Sequence, residues 1–125
     1  MTPLQEDSFI CLRSWAKAVE QQNKAAVLQH YAPKATLWPT LSNELRQDAD
    51  RIGDYFDHFL PKIAGPVDWH QCVYQAIDAT HCLWSGAYTF QLTSGATTAR
   101  FTYMLVLTDG VWRIGHHHSS LMPMT

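Results

Sequence analysis

Between Leu83 and Leu107 the chain contains no aspartate or glutamate, and nowhere do its nine lysines and arginines cluster. A phosphate backbone or an anionic lipid surface is held by a basic stripe or patch. Neither nucleic acid nor a membrane is therefore an expected partner. Charged residues are only 16% of the chain and the formal net charge is -2. No apolar run approaches the length of a membrane span. The opening segment MTPLQEDSFI places Glu6 and Asp7 where a secretory signal needs positive charge followed by an apolar region, so a cytoplasmic protein is expected. Cysteine is scarce too: Cys11, Cys72 and Cys82 are odd in number and lack CxxC spacing, which excludes a disulfide framework and leaves them as small apolar residues.

What is present is enough for a core. With 46% apolar residues among 125, the chain supports one domain spanning residues 1–125 and is too short for two. From Pro3 to Gln22, the recurrence of Phe9, Leu12, Trp15, Ala16 and Val19 predicts an amphipathic helix. Lys24 to Tyr31 predicts a short second helix, stopped ahead of Pro33 because a residue preceding proline avoids the helical region. Ala35 to Asn43 reads as a short strand and loop, which Pro39 confines to a sheet edge or a bulge. A third helix is predicted from Asp48 to Leu60, with Ile52, Tyr55, Phe56 and Phe59 on one face and Asp50, Asp54 and Asp57 on the other.

After Gly65 and Pro66, alternation predicts strands over residues 68–77, 81–93, 97–108 and 111–119. Their short, turn-rich connections pair neighbours antiparallel. Three helices followed by a strongly bent four-stranded sheet make an α+β fold in which the helices cover one face.

The order and spacing of YAPKATLWPTLSN, RIGDYFDHFL, SGAYTFQL, ARFTYMLVLTDGVWRI and HHHSSLMP resemble the nuclear-transport-factor-2-like (NTF2-like, SnoaL-like) superfamily. Within it, the chain is most similar to the association domain of calcium/calmodulin-dependent protein kinase II and its stand-alone bacterial relatives, from the first helix to Pro123. That resemblance implies a cone-shaped, cystatin-like antiparallel sheet wrapped around N-terminal helices. It also implies a pocket opening into the cone and an outer sheet face used to form a homodimer or a higher oligomer. Arginines of the association domain's pocket fall at Phe90, Tyr103 and Ser119, so a neutral, aromatic lining replaces a basic one. A neutral or aromatic small molecule suits such a lining better than a small carboxylate.

The three consecutive histidines cannot act as one cluster, because successive strand side chains point to opposite faces. If Thr108, Asp109 and Gly110 form a three-residue loop, Tyr103 faces Gly115, Phe101 faces His117, and Phe101, Tyr103, His117 and Ser119 share the inner face. The kinase likeness favours this loop. A two-residue turn at Asp109 and Gly110 puts His116 and His118 inside instead, since a slip of one flips every side chain. A preceding loop centred on Ser94, Gly95 and Ala96 places Tyr88 near Tyr103 and Phe90 near Phe101, with Trp38 and Tyr55 closing the rim. Against this pocket stands the plainer possibility that the aromatics are simply core. On the preferred register, Trp112, Ile114, Met104 and Val106 form an outer apolar patch that a partner chain should bury.

His116 and His118 have the alternate spacing of metal ligands, but no third ligand is evident, so structural or interface roles are expected, with no metal and no cofactor. Arg100 is expected in a solvated ion pair or at the pocket mouth. The resulting expectation is a homodimeric small-molecule-binding or oligomerisation module. The alternative is a small isomerase, cyclase or hydrolase with His117 as general base and Tyr103 or Tyr88 as hydrogen-bond donor.

Overall fold

The computed structural model describes residues 1–124. Helix α1 spans Pro3–Glu20, and its start is set by Thr2, whose hydroxyl accepts from the Gln5 amide while the Gln5 side chain accepts from the Thr2 amide. Its buried face carries Leu12, Trp15 and Val19. Asn23 caps the short α2, Lys24–Gln29, and Asp48 caps α3, Ala49–Phe59. Helix α3 turns Ile52, Phe56 and Phe59 inward and leaves its aspartates to water. None of these helices is long and apolar enough to cross a membrane.

Five strands follow the helical hairpin: β1 Tyr31–Trp38, β2 Asp68–Asp78, β3 His81–Leu92, β4 Gly95–Thr108 and β5 Val111–Leu121. The sheet is open, in the order β1-β5-β4-β3-β2, with β2 to β5 an antiparallel meander and β1 parallel to β5. The edge strand expected from Ala35 begins earlier, at Tyr31, and joins the expected four-stranded meander as a fifth strand beside β5. The second helix is correspondingly shorter than expected, because Tyr31 already belongs to β1 and is buried. Pro33 is tolerated inside β1 because this is an edge strand and its ladder is interrupted between Tyr31 and Thr36, where no amide is required.

Two irregularities bend the sheet. In β2 the pairing shifts between His70 and Val73, around Gln71 with φ of 52°, and the displaced backbone lies over Gly86. In β5 the ladder skips Gly115: Leu105 pairs with Ile114, but Met104 pairs with His116. The curved inner face closes on α1 and α3, and one apolar cluster runs from Leu12 and Trp15 through Phe56 and Phe59 to Tyr88, Phe101 and Tyr103.

Candidate functional site

The turn before β5 is the two-residue kind, Thr108 pairing with Val111, with Asp109 and Gly110 both at positive φ, 53° and 76°. The three-residue loop expected from the sequence is therefore incorrect. Near the turn, the consequence is the one that a slip of one dictates: Ile114 points inward, fully buried, and Trp112 packs partly against the core, so neither belongs to the outer patch. The bulge at Gly115 then adds the missing residue. Beyond it His117 and Ser119 face the interior, at 2% and 4% exposure, while His116 and His118 face out. Tyr103 lies opposite His117 rather than Gly115, and Phe101 opposite Ser119.

The β3–β4 loop is also shorter than expected, Leu92 pairing with Gly95. Tyr88 consequently sits opposite Ala99 and Phe90 opposite Thr97. The error is an even number of residues, so it leaves the inner face unchanged, and Tyr88 and Phe101 still meet at 4.8 Å between centroids.

His117 sits at the centre of a buried hydrogen-bond chain. Its Nδ1 is 3.0 Å from the Tyr31 hydroxyl and its Nε2 is 3.0 Å from the Tyr88 hydroxyl. The Trp15 indole donates to Tyr31 at 3.2 Å, and Tyr88 donates to Ser119 at 2.6 Å. Ser119 in turn meets Thr40. Because an indole N–H can only donate, one direction satisfies the whole chain: Trp15 to Tyr31, Tyr31 to Nδ1, Nε2–H to Tyr88, Tyr88 to Ser119. That assigns His117 as neutral imidazole with its proton on Nε2. Burial pushes its pKa well below the ordinary value, helped by the charges of His116 and His118. Burial likewise raises Tyr31 and Tyr88 above the usual tyrosine range and pushes Tyr55 up to about 12.

Beside this chain lies the interior cavity, about 10 Å³, lined by Trp15, Leu37, Thr40, Tyr55, Tyr88 and Phe90 together with His117 and Ser119. That is room for about one water. Of the residues expected to line a pocket, Tyr55, Tyr88, Phe90, His117 and Ser119 do so. Phe101 and Tyr103 are buried behind them, Tyr103 stacked on His117 with its hydroxyl unpartnered among the described residues. Trp38 does not line it. It pairs with His118 on the outer face and is 39% exposed, because strand alternation turns Leu37 inward.

Sequence reasoning missed Tyr31, Thr40 and Trp15 as parts of the site. Thr40 belongs to the segment 39–48, whose first two residues line the cavity and which is fastened by a Leu37–Arg46 backbone pair and by Arg46 contacts to Asp54 and Ser42. Among the described residues Arg100 has no carboxylate partner, and it does not approach this mouth: it opens outward on β4, opposite Ser120. Among the described residues, no three His, Cys, Asp or Glu side chains are grouped to hold a metal ion.

Comparison with known proteins agrees with this architecture. Residues 10–125 match the SnoaL-like domain. A Xanthomonas campestris protein described as a calcium/calmodulin-dependent protein kinase II association domain is 31% identical, with a TM-score of 0.82 over 91% of this chain and 84% of its own. Two more distant structures share the fold alone. A ketosteroid isomerase-like protein from Erwinia carotovora atroseptica has 11% identity and a TM-score of 0.81 over 99% of this chain and 100% of its own. An NTF2-like protein from Shewanella oneidensis has 17% identity and a TM-score of 0.78 over 93% of this chain and 98% of its own. No curated protein matches the chain.

Proposed function

The chain belongs to the SnoaL-like domain family, and from that premise we propose that it is a self-associating module whose two copies pair back to back through the outer face of the sheet. The observation that carries this is the contrast between the two faces. Inside, the cavity beside His117 has room for about one water, about 10 Å³. Outside, Val73 and Ile77 stand 56% and 54% exposed, Trp38 is exposed, and Leu83, Met104 and Val106 are only half-buried. Strand pairing sets Leu83 beside Met104 on neighbouring strands, with Val106 two residues further along β4, so these three form a short apolar strip, while Trp38 and Val73 stand at the two edges of the adjoining row. Soluble monomers rarely leave such a strip in water. The described association domain from Xanthomonas supports the same reading. Light scattering at micromolar concentration should give about twice the 14.2 kDa of one chain. A single-chain mass overturns the proposal, and Met104→Glu should produce that mass.

A second reading is favoured by one observation: the hydrogen-bond chain from Trp15 to Thr40 ends at the cavity, presenting hydroxyls and a neutral imidazole there. A neutral aromatic molecule with a hydroxyl group would take the place of Thr40 beside Ser119 once segment 39–48 swings away. In this reading His117 serves as the proton acceptor that an isomerase, cyclase or hydrolase requires only when Tyr31 gives up its hydrogen bond to Nδ1. Titration with 2-naphthol, followed by tryptophan fluorescence, tests it. Saturable binding that His117→Ala weakens supports the reading, and no binding to the wild type removes it.

A further inference from the structure

The outer sheet face has a second zone, chemically unlike the apolar strip. On three adjacent strands the outward positions carry Ser85, then Thr102 and Arg100, then His118 and Ser120. Together they line a shallow groove of about 340 Å³. Two of these side chains are basic or become so on protonation, three are hydroxyls, and none is acidic. The strands that line the groove do not supply the missing charge, and Asp68, on the outer face of neighbouring β2, lies opposite Thr89 and accepts from Gln91. After Asp78 the only side-chain carboxylate is Asp109, at the tip of the β4–β5 turn; the other ten acidic residues of the total of 11 precede Ala79. The Arg100 guanidinium is exposed and has no ion-pair or hydrogen-bond partner among the described residues, whose ion pairs use Lys24, Arg46, Arg51 and His81 instead.

This matters for pairing, on which the inference rests. A twofold interface presents the same patch from both copies. Each copy brings Arg100 and His118 on a face whose strands β3, β4 and β5 offer no carboxylate in return. Like charges facing one another across an interface disfavour association. A guanidinium fork binds a carboxylate or phosphate group through two parallel hydrogen bonds, and neighbouring hydroxyls add donors to the same oxygens. We propose that the groove of Ser85, Arg100, Thr102, His118 and Ser120 binds a small oxyanion, and that the bound anion neutralises the basic zone each copy brings to the pair. Self-association and anion binding are then linked: whatever binds only the paired state tightens it by mass action.

Sedimentation velocity on the full chain tests this, in sodium chloride and in sodium phosphate or succinate of matched ionic strength. The inorganic and organic arms separate a free phosphate from a carboxylate group as the preferred anion. Anion present at about ten times its dissociation constant, filling the groove of each copy, should tighten the dimer on the order of a hundredfold. Arg100→Gln should abolish that dependence without changing the circular dichroism of the fold, since the side chain is exposed. A dimer equally tight in chloride and in both test anions overturns this inference and leaves the pairing intact. A monomer under every condition overturns the pairing, and this inference with it.

Discussion

Tyr103 lies flat on His117, ring centroids 4.0 Å apart and planes 15° from parallel, so the imidazole is shielded on that side while tyrosine hydroxyls occupy both of its nitrogens. Protonation would require Nδ1, which accepts from Tyr31, to become a donor in a site without a carboxylate.

The pH dependence of stability follows from that shielding. His117 is neutral in the folded chain and titrates near its ordinary 6.5 once unfolded, so below that value the unfolded state binds the extra proton. The His117 contribution is therefore flat above about pH 6.5 and falls by about 1.4 kcal/mol per unit as pH drops from there toward the depressed native value. His116 is lowered too, by burial and then by His118, but it is partly exposed and adds a weaker slope of the same sign. Urea unfolding at about pH 7.5 and about pH 5.5 measures this. His117→Gln should remove most of the difference and His116→Gln little of it.

Tyr88 is the residue whose loss strands most partners. Tyr88→Phe leaves His117 Nε2–H without an acceptor and Ser119 without its donor, both buried. A cost of about 1–3 kcal/mol is expected. Tyr31→Phe removes the partner of Nδ1 and of the Trp15 indole, and should cost a similar amount. The Tyr31→Phe, Tyr88→Phe double variant should be less destabilised than the sum of the two, because both act through one ring.

How much of this was visible beforehand depended on range. Amphipathic α1 and α3 and the alternating strands are local patterns, and each lies within a few residues of its expected place. The inner placement of Tyr88 and Phe90 survived a wrong loop because the error was even. His117 is a different lesson. A two-residue turn alone turns it outward, and a bulge at Gly115 turns it back, so two features unseen in the sequence cancel. Tyr31 was hidden because β1 pairs in parallel with a strand some eighty residues away, information that periodicity does not contain. Thr40 was hidden because loop contacts carry no pattern at all.

Segment 39–48 should be the first part of the cavity wall to open. Arg46 holds it through Nη1 to the Arg51 carbonyl and the Asp54 carboxylate, each at 3.1 Å, through Nη2 to Ser42 at 3.0 Å, and by lying over the Tyr55 ring. Arg46→Ala removes all of these and should cost about 1–3 kcal/mol. Asp54→Asn alters only an exposed contact and should cost less than about 0.5 kcal/mol. Hydrogen exchange at the Leu37 and Arg46 amides, which pair across the segment, reports the difference directly. Exchange unchanged by Arg46→Ala would show that the backbone pair alone fastens the segment.

The two glycines at the bends should respond unequally to alanine. A Cβ on Gly86 would lie 2.7 Å from the Gln71 carbonyl oxygen and 2.9 Å from that of His70, backbone atoms fixed by the β2 bulge. A Cβ on Gly115 would meet the Met104 Cε at 2.7 Å, the far end of a flexible side chain. Backbone cannot give way without unpairing β2 from β3, whereas methionine changes rotamer readily. Gly86→Ala should therefore cost about 3 kcal/mol, and Gly115→Ala about 1 kcal/mol. Combining Gly115→Ala with Met104→Ala should remove the clash, while no single side-chain truncation opposite Gly86 can do so. Equal losses for the two single variants, measured by urea unfolding, would mean that the β2 bulge relaxes and that Gly86 does not fix the bend.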